Sequence, residues 1–194
     1  PENFSRAHLD TALLLGGYLF AADDSTILAV ETASGMSRLL EAADGYELTP
    51  LGVQENRLLV SAKRERGTSR DELWAYDLQS GAVAWKVVPT AQTRKNNTSG
   101  FVGSGGEWMI HFVNGGVMLL EFQNDPIGMT WQRIDLASGV GGAQKTILPP
   151  DHDEKSTSLY LDPMFWQGDS LLWYAGDNLY RIDLNSGQFT VPWP

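Results

Sequence analysis

Three histidines, 24 carboxylates and no cysteine define the chemistry open to this 194-residue chain. The densest group of possible metal ligands is Asp151-His152-Asp153-Glu154. A calcium loop needs oxygen donors at its first, third and fifth positions and glycine at its sixth. Counted from Asp151, the last two of those positions hold Lys155 and Ser156, so the run reads as a solvated acidic loop. His8, His111 and His152 show neither the HExxH pattern nor another zinc spacing. His111 sits among Trp108, Met109, Ile110 and Phe112, which predicts a satisfied core or channel histidine.

Other chemical motifs are equally sparse. Gly100-Phe-Val-Gly103-Ser-Gly105-Gly106 has the glycine density of a phosphate loop, but no Lys-Ser or Lys-Thr follows it and no strand-to-helix junction surrounds it. It is read as a connection between elements. A serine hydrolase elbow, G-x-S-x-G, does not occur. The sequons at Asn96 and Asn97 bear only on a glycosylated secreted chain. Without cysteine there is no disulfide, thiolate metal site or thiol nucleophile. The sequence reading therefore assigns no catalytic residue, no metal ligand and no resident cofactor, and leaves cofactor-binding residues unassigned.

The surrounding chain limits the partners. A net charge of −10, with no basic run longer than Lys63-Arg64, argues against tracking a phosphate backbone or an anionic membrane surface. No apolar run reaches the roughly 18 residues of a membrane helix, since Gly16 and Gly17 interrupt the stretch from Ala12 to Ala22. Pro1 in place of an initiator Met predicts a processed terminus or the edge of a fragment.

What must position any site is a repeat. Glu31-Thr-Ala-Ser34-Gly35, Asp77-Leu-Gln-Ser80-Gly81, Asp135-Leu-Ala-Ser138-Gly139 and Asp183-Leu-Asn-Ser186-Gly187 share one pattern, acid-x-x-Ser-Gly. Composition alone gives about 0.2 such matches by chance, so four of them mark a true repeat. Their glycines lie 46, 58 and 48 residues apart, the size of a four-stranded propeller blade. β-branched, aromatic and aliphatic residues precede each acid and favour a strand. The carboxylate accepts backbone N–H bonds, and glycine takes the positive φ of a hairpin.

The pattern predicts an all-β chain forming a single β-propeller region over residues 1–194. Its four-stranded antiparallel blades fall at about 9–41, 47–88, 107–148 and 158–191. No amphipathic helical period competes with these runs. Trp74, Trp85, Trp131, Trp166, Trp173 and Trp193 recur near the strands and are expected between blades as core, rather than as a sugar-stacking platform.

The second repeat carries a family resemblance. Ala75-Tyr-Asp77-Leu-Gln-Ser80-Gly81-Ala-Val-Ala-Trp85 resembles the tryptophan-docking motif A-x-D-x-x-T-G-K-x-x-W of quinoprotein-type, or PQQ-like, β-propeller repeats. Ser80 replaces Thr and Ala82 replaces Lys. The docking Trp is present only in the second repeat, with Leu39, Ala143 and Val191 at the matching offset elsewhere.

The resemblance implies a seven- or eight-bladed ring of which this chain supplies four blades. Three arrangements stay open: a fragment of a longer propeller chain, two copies pairing into an eight-bladed ring, and compact four-bladed closure. It also implies an extracytoplasmic setting, periplasmic or secreted. Members serve as quinone-dependent dehydrogenases, assembly scaffolds, or sensor and binding domains. Since no catalytic set accompanies the repeats, the expected role is a non-catalytic binding, scaffold or sensor domain. Its partner is a protein or small ligand, with no nucleic acid and no membrane span. The enzymatic alternative is a fragment of a quinone-dependent dehydrogenase or other catalytic propeller.

Overall fold

The computed structural model describes residues 12–23, 25–64, 71–88, 109–124, 127–147, 164–168, 170–175, 178–184, 186 and 188–190. Among them there is no helix, and sixteen strands form four antiparallel meanders. The first sheet contains β1 (Leu13–Leu15), β2 (Tyr18–Asp23), β3 (Thr26–Glu31) and β4 (Ser37–Leu39). The second contains β5 (Tyr46–Gln54), β6 (Arg57–Arg64), β7 (Glu72–Asp77) and β8 (Val83–Val87). The third is β9 (Met109–Val113), β10 (Gly116–Asn124), β11 (Ile127–Asp135) and β12 (Lys145–Ile147). The fourth is β13 (Met164–Gln167), β14 (Ser170–Ala175), β15 (Asn178–Asp183) and β16 (Phe189–Thr190). Four sheets of four antiparallel strands, each in chain order, make this an all-β chain of successive meanders.

The chain divides into two compact units. One takes in the first two sheets together with the hairpin Asp135–Val140, and the other holds the rest of the third sheet and the fourth. Within the first unit, period-two alternation on β2 and β3 turns Phe20, Ile27 and Ala29 inward against Leu58, Val60, Trp74 and Tyr76 of the second sheet. Burying these apolar faces drives the two sheets together.

The second sheet is covered on both faces. Leu58 to Ala62 of β6 and Leu73 to Tyr76 of β7 are buried without a break, so their pattern reads as a continuous apolar run rather than an alternation.

The repeat motif builds the hairpin between third and fourth strands. In the second repeat the Asp77 carboxylate accepts from the Ser80 N–H at 2.7 Å and the Ser80 hydroxyl at 3.0 Å. That hydroxyl in turn accepts from the Ala82 N–H at 3.3 Å. The Gly81 N–H closes the turn on the Asp77 carbonyl at 2.7 Å, with Gly81 at φ 79°. Asp135 with Ser138, and Asp183 with Ser186, repeat the arrangement. In the first repeat the longer Glu31 side chain meets the Ser34 hydroxyl, which accepts from the Met36 N–H at 3.1 Å. Serine is thus a relay between the carboxylate and the strand that follows.

Candidate functional site

The motif glycines also serve as seats for another strand. A Cβ at Gly139 would lie 2.7 Å from Trp85 Cδ2, and one at Gly81 would lie 2.9 Å from Arg38 Cδ. Trp85 lies opposite Ala75, two residues before Asp77, and Arg38 lies opposite Ala29, two residues before Glu31. Trp85 and Arg38 therefore occupy the same place in their sheets, each on the fourth strand.

This corrects the expectation that Leu39 fills the docking position of the first repeat. The register of the second sheet shifts between Ala75 and Tyr76, a bulge that adds one residue before Trp85. The first sheet runs in unbroken register, so Arg38 takes the place and Leu39 turns to the opposite face. In the fourth sheet Thr190, opposite Arg181, takes it instead of Val191. Counting residues after glycine misses such a bulge.

The Trp85 indole N–H donates to the Leu136 carbonyl at 2.8 Å. Glu41 ties the first two sheets together by a different route. Its N–H donates to the Gly81 carbonyl at 2.8 Å, its carboxylate accepts from the Val83 N–H at 3.0 Å, and its carbonyl accepts from the Tyr76 hydroxyl at 3.1 Å. Burial, and then the Glu41 charge, push the Tyr76 hydroxyl up to about 12.

A polar and aromatic cluster lies at the end of the second sheet away from the Ser-Gly hairpin. Glu72 opens β7, Tyr46 opens β5, Arg64 closes β6, and Lys86 stands opposite Trp74. The Glu72 carboxylate accepts from the Tyr46 hydroxyl and from the Trp74 indole N–H, each at 2.9 Å. Arg64 donates through Nε to the Tyr46 oxygen at 2.9 Å and brings Nη2 to 3.8 Å from Glu72 Oε1. The Lys86 ammonium stands 3.5 Å from the Trp74 ring centroid, and the Arg64 guanidinium 5.3 Å from that of Tyr46. Two aromatic donors and a cation occupy Glu72, which suits it to hold Arg64 in place rather than to take a proton from a substrate. Arg64 is half-exposed and Lys63 beside it reaches Glu47 at only 3.9 Å, so cationic groups face solvent here. The sequence reading had not singled out this cluster. Its members are far apart in sequence, and only the register of β5, β6, β7 and β8 brings them together.

The motif acids are engaged as well. Arg57 lies opposite Asp77 and pairs with its carboxylate. The Ser80 backbone N–H, opposed by desolvation and then aided by Arg57, holds the Asp77 carboxyl below the usual carboxylate range.

His111 lies on β9, half-buried, with Nε2 3.3 Å from the Gly168 carbonyl, where the ring N–H donates. Trp74, Trp85 and Trp131 are buried, as expected for core. Asp151–Glu154, His8, the Gly100–Gly106 segment, both sequons and Trp193 lie outside the described residues, as do the side chains of Trp166 and Trp173. Among the described residues, no three His, Cys, Asp or Glu side chains come together in a metal-holding group. No helix among these residues is long and apolar enough to cross a membrane.

No protein-family model matches the chain, and no curated protein matches it. Among solved structures it is similar to the quinohemoprotein alcohol dehydrogenase ADHIIG of Pseudomonas putida HK5, at 13% identity and a TM-score of 0.53 over 94% of this chain and 34% of that one. It is also similar to the N-terminal domain of Nup159, at 10% identity and a TM-score of 0.49 over 93% and 46% of the two chains. The AfRom2 CNH domain matches at 13% identity and a TM-score of 0.49 over 97% and 56%. The chain spans about a third of the dehydrogenase. That likeness, with the four meanders, establishes the β-propeller fold class.

Proposed function

We propose that this chain is a degenerate PQQ-like β-propeller, or part of one, and acts as a non-catalytic binding or scaffold domain. Its four blades, at about 9–41, 47–88, 107–148 and 158–191, belong to one propeller region, and an extracytoplasmic location follows from the family reading. The observation that carries the role is the use of the repeated acids. Glu31, Asp77, Asp135 and Asp183 are each engaged by their own Ser-Gly hairpin. The repeats therefore build a framework. The PQQ-like reading is supported by Trp85 reaching over Gly139 from the fourth strand of the second sheet.

The binding surface in this reading is the cationic end of the second sheet, where Glu72 and Tyr46 fix Arg64. A fixed guanidinium with exposed lysines beside it suits a carboxylate on a protein or small ligand. The test uses the intact chain as bait, before and after Arg64→Glu. Capture that disappears with charge reversal while circular dichroism is unchanged supports the reading. Oxidation of an alcohol or sugar with dye reduction, on adding PQQ and calcium, would replace it with the dehydrogenase alternative.

A further inference from the structure

The hairpin between β9 and β10 turns on Asn114 and Gly115, closed by the pairing of Val113 with Gly116. Asn114 is exposed, and Gly115 takes φ 65°. A Cβ at Gly115 would meet nothing within 4 Å, and its N–H has no hydrogen-bond acceptor among the described residues. An amide side chain thus stands next to an unshielded backbone nitrogen, and the two can close into a succinimide ring without a second molecule.

A peptide nitrogen attacks only after losing its proton. The negative charge left behind is shared with the carbonyl oxygen of the preceding residue, here Asn114. A guanidinium lies on that oxygen: Arg133 of β11 donates from Nη2 to the Asn114 carbonyl at 2.7 Å. Gly116 leaves room for the reach, since a Cβ there would lie 3.1 Å from Arg133 Nε and 2.8 Å from the Ile134 carbonyl oxygen. A charge-assisted bond at this oxygen strengthens as negative charge develops, in the manner of an oxyanion hole. Asn114, Gly115, Gly116 and Arg133 all belong to one of the two compact units.

We propose that Asn114 is a site of intramolecular deamidation promoted by Arg133. Solvent base takes the Gly115 proton, the nitrogen bonds to Asn114 Cγ, and the Cγ–Nδ2 bond breaks to release ammonia. Water then opens the succinimide at either carbonyl and leaves an aspartyl or an isoaspartyl link. Either product puts a carboxylate beside Arg133. The isoaspartyl link also adds a main-chain carbon between Val113 and Gly116, which disturbs the pairing that closes the turn. This modification is independent of what the cationic end of the second sheet binds.

Peptide mapping of the intact chain after incubation in mildly alkaline buffer tests it. A protease that cuts after Glu107 and Glu121 isolates Asn114 as the sole asparagine of peptide 108–121. The native chain is expected to convert Asn114 roughly tenfold faster than Arg133→Met, the rate equivalent of one hydrogen bond to a charged group. Arg133→Lys, which returns a cation, should recover part of the rate. In urea, where the fold no longer brings Arg133 to the turn, the three chains should convert alike. Should circular dichroism show Arg133→Met unfolded, Arg133→Gln takes its place in the comparison. A native chain that keeps its Asn114 amide overturns the proposal. So does a neutral variant that converts as fast as wild type, or a difference that persists in urea.

Discussion

The indole N–H of Trp85 donates to the main-chain carbonyl of Leu136, 51 residues further along the chain, at 2.8 Å. The same ring fills the space that a side chain at Gly139 would need. A single residue of β8 thus meets both the backbone and the glycine of a distant hairpin. Trp85→Ala should cost on the order of 3–5 kcal/mol. Trp85→Phe should lose less, since it keeps an aromatic ring and gives up the N–H bond. Urea denaturation of the two variants checks the order, and an unchanged midpoint for Trp85→Ala would contradict the packing.

The two filled seats should respond differently to a methyl group. Both glycines have positive φ, so alanine at either costs roughly 1–2 kcal/mol of backbone strain. At Gly139 the added Cβ also strikes a rigid indole at 2.7 Å, whereas at Gly81 the nearest group is the aliphatic stem of Arg38, which can turn aside and leave the Leu39 carbonyl oxygen at 3.3 Å. Gly139→Ala is expected to lower the melting temperature more than Gly81→Ala. The reverse order in calorimetry would argue against the seat.

Acid should weaken the hairpin of the second repeat. The folded Asp77 carboxyl titrates below its ordinary value, first because of the Ser80 N–H. A depressed pKa contributes stability that is present above the unfolded value of about 3.9 and is lost as pH falls through the folded one. Asp77→Asn should therefore flatten part of the stability loss below pH about 4. Chemical denaturation across that range reads the difference from wild type.

Alkali should act through Tyr76. Its hydroxyl is raised from 10.0 to about 12 by burial and by Glu41. A raised pKa means that stability is full below the unfolded value and declines as pH rises through the folded one, which places the loss between 10.0 and about 12. Tyr76→Phe removes this slope and, below it, costs about 1 kcal/mol for the bond to the Glu41 carbonyl. Ultraviolet difference absorbance should show one tyrosine fewer ionising late.

The turn joining β5 and β6 carries strain in two ordinary residues, Glu55 at φ 49° and Asn56 at φ 62°. Both dihedrals suit the Asn-Gly pair of a two-residue hairpin. Glu55→Asn with Asn56→Gly is expected to raise stability by about 1 kcal/mol. A lower melting temperature in the double variant would refute that reading of the turn.

Much of the fold was legible because the motif encodes its own geometry. Asp77, Ser80 and Gly81 satisfy one another within five residues, so the hairpin is written in local sequence. The strands around it followed from apolar runs such as β6 and β7. The docking place of the first repeat was not legible, because the bulge beside Ala75 belongs to strand pairing and leaves no mark in residue spacing. The cluster of Tyr46, Arg64, Glu72 and Lys86 was hidden for a related reason. Its members are unremarkable charged and aromatic residues until three hydrogen-bonded strand pairs align them.

Burial of β6 and β7 on both faces has a dynamic consequence. Their amides should be the last to exchange with deuterated solvent, while the open edge at β1 exchanges early. Cooperative opening would then start at the rim and reach the middle strands of the second sheet only with global unfolding, making that sheet the kinetic anchor of the first unit.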